Sequence, residues 1–369
     1  MRYIKNLFKN IDKSLYVLPI IFAIISVTMM FSTSYDNGIV LSRTVLVQSA
    51  AYILGFLAVF ILAHMNYSVF EDMIKPLYIF SILFLLTPYI PGLGVEQFGA
   101  RSWINLGVTT FQPSEIVKIT FIFLMADYFK KHRGIRYLKD FLKAVIYAAP
   151  IILIVLKEDF GSAAVFGVIF IAMLLLSGID MKLFGRIAFI GVIAIPFLFK
   201  FLDDYQKDRI TAFLYPNDLS IPANYQVWHS KVAIGSGGVF GKGLFNGTQK
   251  DLEFLPVRNS DFIFSVICEE LGLIGGAVLI ILFVCFLYTL LKLVFSVHDT
   301  YGSLIVVGFL GMFAGQVFEN IAMCMGLMPV TGITLPFISY GGSSILANML
   351  AVGIVINIAI SNRGVAFID

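Results

Sequence analysis

Apolar runs of about 20 residues recur along nearly the whole chain, separated by short polar stretches. A helix needs about 20 mainly apolar residues to cross the hydrocarbon core of a bilayer. On that rule, helices are expected near 15–33, 45–64, 72–90, 113–130, 141–157, 161–178, 183–202, 262–294, 301–327 and 341–361. The pattern therefore predicts an all-α polytopic integral membrane protein with about ten transmembrane helices. The fourth run is short and carries Glu115, Lys118 and Asp127, while the eighth is long enough to tilt or to extend beyond the bilayer. The basic stretch MRYIKNLFKNIDK precedes the first run with no small-residue cleavage site after it, so that run is expected to remain as a membrane helix.

Orientation follows from lysine and arginine, which collect in short cytoplasmic loops. Arg2, Lys5, Lys9 and Lys13 precede the first helix, KKHRGIRYLK follows the fourth, and Arg363 lies in the C-terminal tail. Both termini are then cytoplasmic, and 91–112, 203–261 and 328–340 lie outside. The large extracytoplasmic loop, 203–261, falls between helices seven and eight. It is rich in glycine, aromatics and β-branched residues rather than in low-complexity repeats, so it is expected to be ordered. Within it, GTQKDLEFLP reads as a short extended or turn element, because Pro256 argues against a helix running through. With no fixed-period repeat and no appended soluble domain, 1–369 reads as a single transmembrane domain.

Composition narrows the function classes. Hydrophobic residues make up 59% of the chain and charged residues 13%, far from the roughly half and one quarter of a soluble domain. A formal charge of +3 and the lack of a basic tract interleaved with aromatics exclude nucleic acid as a partner. Cys268, Cys285 and Cys324 fall inside apolar runs and read as small buried hydrophobes rather than a disulfide framework or a zinc site. The histidines are scattered, and no cofactor motif is present; whether a divalent cation is required stays open. GSGGVFGKG lacks the spacing of a nucleotide-phosphate loop, since Gly243 follows Lys242.

Charge inside a membrane is informative, because an ionisable residue at a helix centre costs about 2.5–3.5 kcal/mol on insertion scales. Glu115 and Lys118 stand i, i+3 on one helix face behind Pro113, which suits a first turn. They make either a surface ion pair at a helix start or an ionic post lining a polar cavity. Lys157, Glu158 and Asp159 form a charged turn, with Asp159 a candidate cap for the helix beginning at Gly161. Asp261 ends the long polar loop and is either an N-cap accepting the amides of Ile263 or Phe264, or a chemical group.

The chain's longest polar stretch, Tyr225 to Glu270, holds two glycine clusters together with Lys231, Lys242, Lys250 and Arg258, and Arg101 lies on the same outer side. Cations with glycine-rich backbone suit a pyrophosphate-bearing lipid head group, or simply an anionic lipid surface. MPVTGITLPFISYGGSS, with Pro329, Pro336, Gly341 and Gly342, carries little ionisable chemistry and reads as a shaping break between helices nine and ten.

Taken together, GARSWINLG..FQPSE, the DFGSA turn, VAIGSGGVFGKG with GTQ..LEFLP and SDFIFSVICEELG, and the closing MPVTGITLPFISYGGSS resemble the SEDS family (shape, elongation, division and sporulation). The match runs in order over nearly the whole chain, and GTQ..LEFLP and MPVTG look most like the rod-shape RodA branch. The resemblance implies a ten-helix protein of the bacterial plasma membrane. Such a protein polymerises lipid II into β-1,4 glycan strands with release of undecaprenyl pyrophosphate, alongside a class B penicillin-binding protein. It further implies Asp261 as the essential aspartate and general base. Glu115 and Lys118 match the intramembrane pair, and Arg101 matches the arginine of the GARSW segment. Asp159, Lys242 and Arg258 join these as candidate substrate-binding residues. Two departures stand out: the glutamate and histidine that usually precede the aspartate are replaced in Pro256-Val257-Arg258-Asn259-Ser260-Asp261, and His229 stands where glutamine is common. A lipid II flippase and a non-enzymatic scaffold are the rival readings.

Overall fold

The computed structural model describes residues 12–365 apart from 35–41, 98–99, 106, 108, 202–203, 219 and 253. Arg2, Lys5 and Lys9 of the basic N-terminus lie outside the described residues. Each of the ten expected runs coincides with a helix. In chain order these are α1 (Ser14–Thr33), α2 (Arg43–Leu62), the short α3 (Val69–Asp72) continuing into α4 (Ile74–Leu86), α5 (Pro113–Lys131), α6 (Leu138–Glu158), α7 (Phe160–Leu176) and α8 (Met181–Leu198). Three helices of the loop expected to be the outer one follow, α9 (Asp204–Leu214), α10 (Pro222–Ser236) and α11 (Thr248–Asp251), and then α12 (Ile263–Ser296), α13 (Thr300–Cys324) and α14 (Gly342–Val365). Among the described residues, five helices (α1, α2, α12, α13 and α14) are long and apolar enough, by length and composition, to cross a membrane. The others fall short for visible reasons: α5 carries Glu115, Lys118 and Asp127, and α4 gives way to a tighter turn at Thr87–Tyr89, where Pro88 cannot continue the helix.

The core is built around α13, which is buried along most of its length and packs against α7, α12 and α5, while α14 packs on α2. Small residues permit this close approach. A Cβ at Gly308 would lie 2.7 Å from Ile122, and one at Gly311 would lie 2.9 Å from the Ala172 methyl. The segment between α13 and α14 plugs the bundle through Phe337, whose ring sits 5.3–5.5 Å from those of Phe22, Phe286 and Phe313. Phe337 holds a left-handed backbone (φ 64), and its carbonyl accepts the Tyr52 hydroxyl. Cys268 and Cys324 are buried as expected, but Cys285 is exposed, because its position on α12 turns outward from the bundle.

A three-stranded antiparallel sheet, β1 (Gly94–Gln97), β2 (Ala100–Asn105) and β3 (Thr110–Phe111), leads directly into α5. Its register pairs Val95 with Trp103 and Asn105 with Thr110. Within the loop 203–261 the first residues of GTQKDLEFLP form the single turn α11, and no helix runs on to Pro256. The buried Glu269 carboxylate accepts the Gln249 amide at 3.1 Å and the Thr248 hydroxyl at 2.9 Å, satisfying groups that a helix start leaves open.

Helix α12 spans 34 residues but is broken at Gly272 (φ 69, ψ −168). The glycine loop of 237–243 is inserted at the break. Amides of Lys242 and Gly243 each donate at 3.0 Å to the carbonyls of Glu269 and Glu270, and amides of Leu273 and Ile274 donate to Gly238 and Val239 at 2.9 and 3.2 Å. Only glycine fits so close: a Cβ at Gly237 would stand 2.0 Å from the Cys268 carbonyl oxygen, and one at Gly241 2.1 Å from that of Glu270. Two ion pairs lock the same joint. Lys242 Nζ lies 2.6 Å from Glu269, and Lys250 Nζ lies 2.6 Å from Glu270, which also accepts the Ser32 hydroxyl from α1.

Candidate active site

Beneath the outer loop lies a cavity of about 780 Å³, walled by the start of α5, the α6–α7 turn, α9, the start of α10, Ser260–Asp261 and the segments 330–334 and 340–344. Its volume is that of a ligand site. Asp261 reaches it from the end of the outer loop. The first helical residue of α12 is Ile263, the N-cap is Phe262, and no side chain caps this helix. The Asp261 carboxylate instead accepts the Ser260 hydroxyl at 2.9 Å. Burial pushes its pKa up from the ordinary carboxylate range to about 6, with Asp159 adding to the rise and the Ser260 hydrogen bond and Arg209 charge opposing it.

The Asp261 backbone is held from two sides. Asn320, buried on α13, donates from its amide nitrogen to the carbonyls of Asp261 (2.8 Å) and Ile333 (2.7 Å). Ser339 donates to the Ser260 carbonyl at 2.5 Å, and the Tyr340 amide donates to the Asn259 carbonyl at 2.8 Å. The segment read only as a shaping break thus fixes the Asp261 turn and lines the cavity with Thr331, Thr334, Ser343 and Ser344.

Asp159 caps α7, accepting the Ser162 amide at 3.0 Å and its hydroxyl at 2.6 Å; Gln112 donates to it at 3.1 Å. The neighbouring Glu158 accepts the Arg101 amide at 2.8 Å and the Tyr89 hydroxyl, tying the charged turn to β2. Glu115 lines the cavity and accepts from Lys118 Nζ at 2.8 Å, both side chains being buried.

The structure therefore brings Asp261, Asp159 and Glu115 to one cavity, with Lys118 sealed directly behind Glu115. Arg101, Lys242 and Arg258 stand outside the cavity lining. Arg101 is exposed on β2, Lys242 is engaged by Glu269 and Thr248, and Arg258 donates to the Lys250 carbonyl at 2.7 Å. The glycine-loop amides of Lys242 and Gly243, considered from sequence as an anion cradle, are satisfied by helix carbonyls instead.

Two functional candidates were not drawn from the sequence. Arg209, on α9, lines the cavity and donates to the Val330 carbonyl at 2.8 Å. Burial lowers its pKa, and the charges of Asp159 and Asp261 both counter that shift, so both carboxylates lie within electrostatic reach of it. Glu319, buried on α13, lies within electrostatic reach of Lys118 and Asp159. In the sequence Arg209 lies in QKDRITAF with no motif around it, and Glu319 is one acid in a long apolar run. No metal-holding cluster of histidine, cysteine and carboxylates occurs among the described residues.

A helical bundle with five helices long and apolar enough to cross a membrane defines a multi-pass membrane protein. The family model described as cell cycle protein, covering FtsW, RodA and SpoVE, matches residues 11–364, and the chain belongs to that family. It is 32% identical to stage V sporulation protein E of Bacillus subtilis, over 95% of this chain and 98% of the relative. It is also 32% identical to the peptidoglycan glycosyltransferase MrdB of Escherichia coli, over 95% and 93%. A solved chain from a peptidoglycan synthase complex in which polymerization and crosslinking are coordinated superposes with a TM-score of 0.80 at 27% identity, covering 96% of this chain and 99% of that one.

Proposed function

We propose that this protein is a peptidoglycan glycosyltransferase that polymerises lipid II, with Asp261 as general base. The observation that carries the reading is the Asp261 carboxylate, held at the cavity and shifted to about 6. A base with a pKa near the working pH both accepts a proton and remains largely ionised. The acceptor sugar's 4-hydroxyl gives its proton to Asp261 as its oxygen attacks the anomeric carbon of the donor. The carbon–oxygen bond to the pyrophosphate breaks, and the leaving group departs as undecaprenyl pyrophosphate. Conversion of an α-linked pyrophosphate to a β-1,4 link is an inversion, which one direct displacement with one base delivers, as in inverting glycosidases. Glu115 and Asp159, on the same wall, are read as substrate-contacting groups, with Lys118 fixing Glu115.

In this reading all ten long runs cross the membrane as one domain, the termini are cytoplasmic, and 203–261 covers the cavity from outside. A class B penicillin-binding protein is the expected partner, supported by the likeness to a chain of a synthase complex. GTQ..LEFLP and MPVTG favour a role in elongation. Incubating the purified protein and its partner with lipid II tests the proposal: glycan strands are the expected product. Lipid II left intact would return the flippase and scaffold readings.

A further inference from the structure

Resting on the polymerase reading, we propose that Arg209 binds the pyrophosphate of the lipid-linked donor and stabilises it as it leaves beside Asp261. Five carboxylates face the cavity, Glu115, Glu158, Asp159, Asp208 and Asp261, whereas Arg209 is the single basic side chain among the described residues lining it. A pyrophosphate ester brings further negative charge into that surrounding, and without a cation at the point of contact it would be repelled. The other candidate cations do not line the cavity: Lys118 is paired behind Glu115, and Lys242 and Arg258 stand outside the lining. Arginine's planar fork suits phosphate oxygens better than a point charge does.

Geometry places this cation at the reaction. A Cβ built on Gly332 would lie 3.5 Å from Asp261 Oδ2 and 3.6 Å from an Arg209 guanidinium nitrogen, so base and cation flank the same notch. Gly332 keeps the notch clear, and its φ of 75° is one that other residues rarely adopt. The guanidinium is anchored through the Val330 carbonyl at 2.8 Å. Next to it, Thr331 Oγ1 lines the same cavity, is buried and lacks a hydrogen-bond partner, a donor suited to a second phosphate oxygen. As the sugar–oxygen bond breaks, its electron pair passes to the pyrophosphate oxygen, and Arg209 takes up the developing charge.

The test measures equilibrium binding of a fluorescent polyprenyl pyrophosphate and of the matching monophosphate to the purified full-length protein in detergent. Wild type should prefer the pyrophosphate. Arg209→Gln should weaken the pyrophosphate by about 10- to 100-fold and the monophosphate less, with KM for lipid II rising in parallel. Arg209→Lys, keeping charge without the fork, should lose about three- to tenfold. Undiminished pyrophosphate affinity in folded Arg209→Gln overturns the inference, and if that variant does not fold, undiminished affinity in Arg209→Lys does so. Because binding is read without turnover, a wild type that binds pyrophosphate but makes no glycan strands would instead refute the polymerase reading.

Discussion

Ser260 Oγ donates to Asp261 Oδ1 at 2.9 Å, while no amide opening α12 donates to the Asp261 carboxylate. The carboxylate is therefore not a helix cap. Asp261→Asn keeps an oxygen to accept from Ser260 and should fold, insert and bind its partner normally. It cannot take a proton from a sugar hydroxyl, so polymerisation should fall by about 10²–10⁴-fold. Asp261→Glu should also be impaired, since an added methylene displaces the carboxylate by about an ångström. Normal strand synthesis by the Asn variant would end the general-base role.

The pH profile should carry the same signature. Asp261 works deprotonated, and its pKa is raised to about 6, so activity should be near its plateau at neutral pH. It should fall through pH 6 and approach a tenfold loss per unit below that as the carboxyl protonates. A pH–rate series on wild type, set against the residual rate of Asp261→Asn, reads this directly. An acid limb that persists in the Asn variant would assign the titration to another group.

Glu115 and Lys118 should behave as one unit. Their side chains are 6% and 1% exposed and 2.8 Å apart, so truncating either strands a buried charge. Glu115→Ala or Lys118→Ala should each cost about 3–5 kcal/mol of stability, whereas the double change to Leu and Met should recover most of it. Thermal unfolding in detergent measures both. Two wild-type-like single variants would mean the charges are solvated.

Topology is open to labelling. In a variant with Cys268, Cys285 and Cys324 replaced by alanine, single cysteines placed at exposed positions within 205–255 should react with an impermeant maleimide from outside the cell, and those within 131–137 should not. The reverse pattern would invert the orientation and remove the site from the outer surface.

The ten apolar runs located the helices because burial in lipid or in a helical core imposes the same local demand, a continuous apolar stretch. Asp159 was legible as a cap since capping is a relation between near neighbours, here Asp159 and Ser162. Arg209 was not, because what marks it is proximity to Asp159, Asp261 and Val330, residues between about 50 and 120 positions away. The break at Gly272 was hidden for a related reason: the apolar run 262–294 resumes directly after Glu269 and Glu270, and the groups that satisfy its interrupted hydrogen bonds lie in the loop before it. The loop glycines at 237 and 241 suggested close approach to an anion, whereas what they approach is the main chain of α12.

That joint also imposes an order of assembly. Chains are made from the N-terminus, so 237–250 leaves the ribosome before the residues around Gly272 that receive it. The outer loop can close only after α12 has been inserted, when the carbonyls of Glu269 and Glu270 and the amides of Leu273 and Ile274 become available together. Closure therefore follows, and cannot precede, the arrival of α12. Until it occurs the carboxylates of Glu269 and Glu270 lack the ammonium partners that Lys242 and Lys250 supply.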